Sequence, residues 1–208
     1  MIVKPIEYFY SAYSAYAYIG HNHFLRLAET AGRVVVHRPF DLMKCLNAIG
    51  YHPLNERTQA SLDYQFGRQR DRWAEYRQVE MPKETPSSHN NCAEIADLIL
   101  IAAKKLKLDV EMISSELMQS HWLGNLDLND AYAVSEKLKT VKLDAEMLME
   151  QSKAPEIISE YEANTNTAIE NLYLGHQLIL LMAICFTDKT TFVWSSGRLQ
   201  SLLHSHTE

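Results

Sequence analysis

Ile6-Glu7-Tyr8-Phe9-Tyr10-Ser11-Ala12-Tyr13-Ser14-Ala15-Tyr16-Ala17-Tyr18-Ile19 is the stretch on which the fold turns. Its first five residues are a β-branched and aromatic run, the composition of a short strand. From about Ala17 to Ala31 the apolar residues Ile19, Phe24, Leu25 and Ala28 fall at helical spacing. Gly32 stops that helix, because a left-handed C-terminal residue is most cheaply a glycine. Val34-Val35-Val36 then reads as a second strand, continuous in apolar residues as in a parallel sheet covered on both faces. The chain opens with a βαβ unit.

Beyond Asp41 the strand signal fades and helical patterns take over. They run over Leu62 to Tyr76, Asn91 to Leu106, Asp109 to Trp122, Asp130 to Thr140 and Asp144 to Ser152. Pro82, Pro86, Ser87 and Ser88 interrupt them as loop residues. Pro155 can open one more helix, through Ile157, Ile158 and Tyr161 to about Ile169. An all-helical block after a βαβ unit is what an insertion into an α/β domain looks like. The division expected is 1–42 and 154–208 for the α/β part and 43–153 for the helical insertion.

The whole is one domain's worth of chain: 208 residues, of which 47% are hydrophobic and 22% charged, enough to bury a core. A net charge of −6 without any dense Lys/Arg cluster argues against nucleic acid. The apolar run Leu178 to Phe186 is far shorter than the ~20 residues of a membrane span. Residues 1–9 carry no secretory pattern, so a cytoplasmic location is expected. The three cysteines, Cys45, Cys92 and Cys185, are far apart and form no C-x-x-C pair. Any thiol chemistry must use a thiol brought by a cofactor. His21 with His23, and His204 with His206, have no metal-ligand geometry, and no metal is expected.

Chemistry concentrates in the turn between the first strand and the first helix. A serine there can aim its hydroxyl at a ligand, while the N–H groups of the first helical turn favour an anion. A thiolate is such an anion, and its pKa falls at a helix N-terminus. The plainer alternative is that Ser11 or Ser14 only caps the helix and the tyrosines only pack.

Ser14-Ala15-Tyr16-Ala17-Tyr18 resembles the S-P-Y-S-Y element of the 2-hydroxychromene-2-carboxylate isomerases and kappa-class glutathione transferases, which are DsbA-like members of the thioredoxin superfamily. Val36-His37-Arg38-Pro39-Phe40-Asp41-Leu42 is similar to that family's second strand and its K/R-P-F-x-L turn. Tyr64-Gln65-Phe66-Gly67-Arg68, Asp71-Arg72-Trp73-Ala74, Met81-Pro82 and residues 163–170 resemble later family elements in the family's order. The resemblance implies a thioredoxin-like α/β fold with a large all-helical insertion. It implies glutathione as cofactor, with Ser14 stabilising the glutathione thiolate and Ser11, Tyr16, Arg38 and Trp73 as candidate contacts. Trp73, in an inserted helix, could instead line a pocket for an aromatic substrate, or simply pack.

Three departures stand beside the resemblance. Ala15 replaces a common proline, and Tyr51-His52-Pro53 occupies a turn where the family often has a glutathione-contacting asparagine. After Glu170 the family continues with G-V-F-G-x-P-T, whose cis proline faces the serine, but this chain has no proline after Pro155. Reading each codon's third base with the next codon's first two permits G-A-P-T-Y-F-V-D-G-D-M-F-Y-G-Q-D across Leu174 to Thr190. A one-base slip in the gene or its sequencing is therefore expected there, against the alternative of a divergent in-frame tail.

The activity implied is a glutathione-dependent cis–trans isomerisation of a 2-hydroxychromene-2-carboxylate-like aromatic compound. The alternatives are a kappa-like transferase and a catalytically impaired protein of the same fold. A small aromatic molecule is the partner expected, neither a membrane nor nucleic acid is, and a homodimer stays open.

Overall fold

A computed structural model describes residues 5–50 and 56–173 of the chain. The expected βαβ unit is present. Strand β1 (Ile6–Tyr10) leads to helix α1 (Ala15–Thr30) and strand β2 (Val35–Pro39), and the strands pair in parallel from Ile6 opposite Val35 to Tyr10 opposite Pro39. Gly32 takes φ +61°, the left-handed conformation that ends α1, and Arg33 N donates back to Ala28 O at 2.8 Å. Val34 is 70% exposed, so the strand starts one residue later than its valine run.

Eight further α-helices, a π-helical stretch and a 3₁₀ turn follow among the described residues. Helix α2 (Leu42–Ala48), which periodicity did not reveal, is short and capped by the Asp41 carboxylate, which accepts from Lys44 N at 2.9 Å. The expected helix Leu62 to Tyr76 is one continuous path with a change of winding. It starts as α3 (Gln59–Leu62), loosens into a π-helical stretch over Asp63–Gln69, and ends as α4 (Arg70–Arg77). After a 3₁₀ turn at His89–Asn91, Cys92 adopts φ 62°, so the next helix, α5 (Glu94–Lys105), begins later than Asn91. Helices α6 (Val110–Gly124), α7 (Ala131–Thr140) and α8 (Ala145–Gln151) each start on an aspartate, Asp109, Asp130 and Asp144, whose side chain accepts first-turn N–H groups. Helix α9 (Pro155–Tyr173) opens on its proline.

Helix α5 is the structural centre. Ile99, Leu100, Ile101, Ala102 and Ala103 are all fully buried, which requires neighbours on every side, and β2, α6, α8 and α9 supply them. Tyr8 and Tyr10 of β1 belong to the same apolar core, so residues of the helical insertion and of the strand unit pack as one. Alternation along β1 sends Phe9 to the other face, where it meets Phe40, Cys45 and Ala168. The expectations for the segment after Glu170, its apolar run and its replaced closing strands, lie outside the described residues.

Candidate functional site

Ser14 sits where β1 hands over to α1. Its extended backbone (φ −65°, ψ 123°) makes it the N-cap, and its Oγ accepts from Ala17 N at 3.3 Å. The turn is closed by Ser14 N donating to Ser11 O at 3.0 Å, and Tyr18 N donates to Ser14 O at 2.9 Å. Accepting from Ala17 leaves the hydroxyl's own hydrogen unused, and among the described residues no acceptor takes it. A half-buried O–H is thus held at a helix N-terminus with its proton available to an incoming anion.

Beneath this turn lies a carboxylate that sequence inspection did not single out. Asp97 of α5 accepts from Ser11 Oγ at 2.6 Å and from Ala12 N at 2.9 Å. Ser11 is itself buried, so its hydroxyl braces the turn from inside rather than facing a ligand. Burial pushes the Asp97 carboxyl well above the usual carboxylate range, opposed by these two hydrogen bonds and reinforced by Asp41 and Glu94. The sequence signal was an acidic residue inside the apolar run Ala96-Asp97-Leu98-Ile99-Leu100-Ile101.

Tyr13, next to Ser14, is 7% exposed, and its hydroxyl lies by the Cys92 thiol with no oxygen or nitrogen partner among the described residues. Burial raises its pKa, with Cys92, Asp97 and Asp41 adding to the shift, so the phenol stays a neutral donor. Its ring lies 5.1 Å from that of His89, which in turn contacts Trp122 at 5.1 Å and stacks on His121 at 5.3 Å. His89 Nδ1 and His121 Nε2 are 3.0 Å apart, and burial lowers the pKa of both, His89 to about 4.

The insertion lies along α1 through tyrosines. Tyr16 is buried and donates from its hydroxyl to Gln65 O at 2.6 Å, inside the π-helical stretch, and Tyr18 donates to Glu80 O at 3.1 Å. One turn beyond Ser14, Tyr18 also borders a cleft of about 210 Å³ between α1, α6 and residues 78–80, with His21, Ser115, Met118 and Glu80 among its walls. Tyr18 stacks on Trp122 at 6.4 Å. The tryptophan that the structure brings next to Tyr18, and to Tyr13 through His89, is therefore Trp122. Trp73 packs instead edge-on against Tyr76 at 5.8 Å and under the Arg77 guanidinium at 5.7 Å.

Arg38 is turned to a different purpose. On β2 it pairs with Glu7 at 2.9 Å and with Glu160 of α9 at 3.6 Å, on the face opposite the His37 side chain. Its charge is already matched by two carboxylates. The structure thus brings Ser11, Ser14 and Tyr16 together around the first turn of α1, while Arg38 and Trp73 engage other neighbours.

Behind the turn the core holds a buried polar relay. Tyr8 Oη lies 2.9 Å from His21 Nδ1, and Ser114 Oγ lies 2.9 Å from His21 Nε2 and 3.1 Å from Glu111 O. The Ser114 hydrogen goes to Glu111 O, so His21 donates from Nε2 and accepts at Nδ1. Burial, with the nearby His37 adding to it, drops the pKa of His21 to about 3, and the ring stays neutral. Among the described residues no group of three or more His, Cys, Asp or Glu side chains could hold a metal ion, and no helix is long and apolar enough to cross a membrane.

A strand ending in a serine-capped helix, a parallel partner strand and a packed helical insertion match one family model, the DSBA-like thioredoxin domain, over residues 5–175. The chain belongs to that family. Solved structures that share its fold include two enzymes. The 2-hydroxychromene-2-carboxylate isomerase aligns with a TM-score of 0.66 at 17% identity, covering 81% of both chains. The cytosolic disulfide reductase DsbM from Pseudomonas aeruginosa, solved with GSH, aligns with a TM-score of 0.60 at 13% identity, covering 83% of both chains. No curated protein matches the chain.

Proposed function

We propose that this member of the DSBA-like family is a glutathione-dependent cis–trans isomerase acting on an aromatic compound of the 2-hydroxychromene-2-carboxylate type. The observation that carries the reading is Ser14, a half-buried N-cap whose O–H has no acceptor among the described residues. The fold it shares with the isomerase supports the same direction.

The residues around Ser14 suit a thiolate. The Ser14 hydroxyl donates a charge-assisted hydrogen bond, and the helix N-terminus adds its partial positive charge. The Tyr13 hydroxyl, next in sequence and beside the Cys92 thiol, is a second buried donor. Glutathione, held with its thiol at Ser14, would supply the reversible nucleophilic sulfur chemistry that a cis–trans isomerisation needs. Tyr18 and Met118 on the adjoining cleft offer apolar and hydrogen-bonding wall to a flat substrate.

A second reading, a catalytically impaired protein of the same fold, is favoured by the absence of any proline after Pro155, where the resembled family carries its cis proline. Glutathione affinity chromatography, followed by product analysis with a chromene carboxylate, tests both. Retention with isomerised product supports the first reading, and retention with a glutathione conjugate makes it a transferase. Failure to bind glutathione supports the second.

A further inference from the structure

The turn that carries Ser14 rests on a carboxyl group supplied from far along the chain. Both Asp97 oxygens are used: Oδ2 takes the Ser11 hydroxyl and Oδ1 takes the Ala12 N–H. Asp97 is 1% exposed, and among the described residues no cation pairs with it. The titratable groups that face it are Tyr10 from β1, Tyr13 from the turn, Asp41 after β2, Cys92 and Glu94 at the start of α5, and Tyr161 from α9. Every one is an acid. Among the described residues, what favours its charge is the two hydrogen bonds from the Ser14 turn and its place in the first turn of α5, with no cation beside it.

Those bonds respond differently to a proton. An amide N–H can only donate, so Oδ1 must keep accepting from Ala12 whether Asp97 is charged or neutral. A proton on Asp97 therefore belongs on Oδ2. The Ser11–Asp97 hydrogen bond then reverses: the carboxyl donates, Ser11 Oγ accepts, and the Ser11 hydrogen must find another acceptor. Ser11 is also the residue whose carbonyl receives Ser14 N, so a change at Ser11 acts on the turn that aims Ser14.

We propose that Asp97 is the positioning residue of Ser14, and that gain or loss of its proton reverses the Ser11–Asp97 hydrogen bond and resets the β1–α1 turn. The proposal rests on the reading of Ser14 as the serine of the site. Its consequence for binding is one of charge. An anionic thiolate at Ser14 adds a negative charge to a cluster made only of acids, so it favours the neutral form of Asp97. Thiolate binding and Asp97 protonation are then coupled, and each strengthens the other.

The test is a pH titration of backbone amide NMR signals in the ligand-free protein, in Asp97→Asn and in Ser11→Ala. The expected result is a shared midpoint for the Ala12 and Ser14 amides above the ordinary carboxylate range, abolished by Asp97→Asn. Ser11→Ala removes a bond to the charged form and should move that midpoint higher. Amides that do not titrate, that titrate in the ordinary carboxylate range, or that titrate unchanged in Asp97→Asn would overturn the proposal. So would an unmoved midpoint in Ser11→Ala, and the wild-type titration decides the matter even if one variant fails to fold. Repeating the titration with reduced glutathione should raise the midpoint further. If glutathione does not bind, the functional reading fails and the ligand-free titration still judges Asp97. If glutathione binds and the midpoint stays put, the coupling is wrong.

Discussion

The Ser11 hydroxyl donates to the Asp97 carboxylate across 2.6 Å, linking the turn before α1 to the buried face of α5. A carboxyl whose folded pKa is raised holds its proton more tightly folded than unfolded. Its contribution to stability is present at low pH and is lost as pH rises from the ordinary carboxylate range through the folded value, at about 1.4 kcal/mol per pH unit. Asp97→Asn cannot ionise and should escape that loss. Thermal melts should show the variant gaining on the wild type as pH rises, with little difference near pH 4. A difference independent of pH would mean that Asp97 titrates alike in both states.

The buried histidines work with the opposite slope. His21 is held to about 3, and His37, desolvated and near Lys104, to about 4, both below the ordinary histidine value. Their stability is present above about pH 6.5 and is lost as pH falls toward those values, because the unfolded chain takes up protons first. His21→Gln should flatten the acid side of the stability curve while lowering stability near neutral pH by about 1–3 kcal/mol, through the disturbed Tyr8 and Ser114 bonds. Chemical denaturation between about pH 4 and pH 7 measures both effects, and parallel wild-type and variant curves would refute the linkage.

Tyr16 pins the π-helical stretch to α1 through Gln65 O. Tyr16→Phe removes that hydrogen bond for about 1 kcal/mol and leaves the ring packed. Amide hydrogen exchange should accelerate over residues 63–69 with small change in α5 or α6. Uniform acceleration across the chain would show that the bond supports the whole fold and not the local winding.

What could be read from the sequence was what is local. The β1–α1–β2 unit, Gly32 as a helix stop, and the caps Asp109, Asp130 and Asp144 each depend on residues within one turn of one another. A serine cap was legible for the same reason, with Ser11 and Ser14 both open, and the structure gives the role to Ser14. The Asp97–Ser11 and Tyr16–Gln65 contacts join residues 86 and 49 positions apart, and no periodicity encodes them. Trp73 and Trp122 are both helical tryptophans, and only tertiary packing decides that Trp122 lies by Tyr18. Arg38 looked like a ligand because the sequence did not show that Glu7 and Glu160 flank it.

The segment after Glu170 carries its own prediction at the level of the gene. Resequencing codons 165 to 195 should reveal a one-base difference that restores a family-like string with its proline. An unchanged gene would make the tail a genuine in-frame divergence and would favour the impaired reading.

The most direct measurement is the titration of the glutathione thiol bound to the wild type and to Ser14→Ala, followed by ultraviolet thiolate absorbance. A charge-assisted hydrogen bond of roughly 1.5–3 kcal/mol should hold the thiol pKa about one to two units lower in the wild type. The variant should meanwhile lose only about 1 kcal/mol of stability, the cost of the cap on Ala17 N. Equal thiol pKa values in the two proteins, with stability falling in the variant, would contradict the assignment and leave Ser14 as a helix cap.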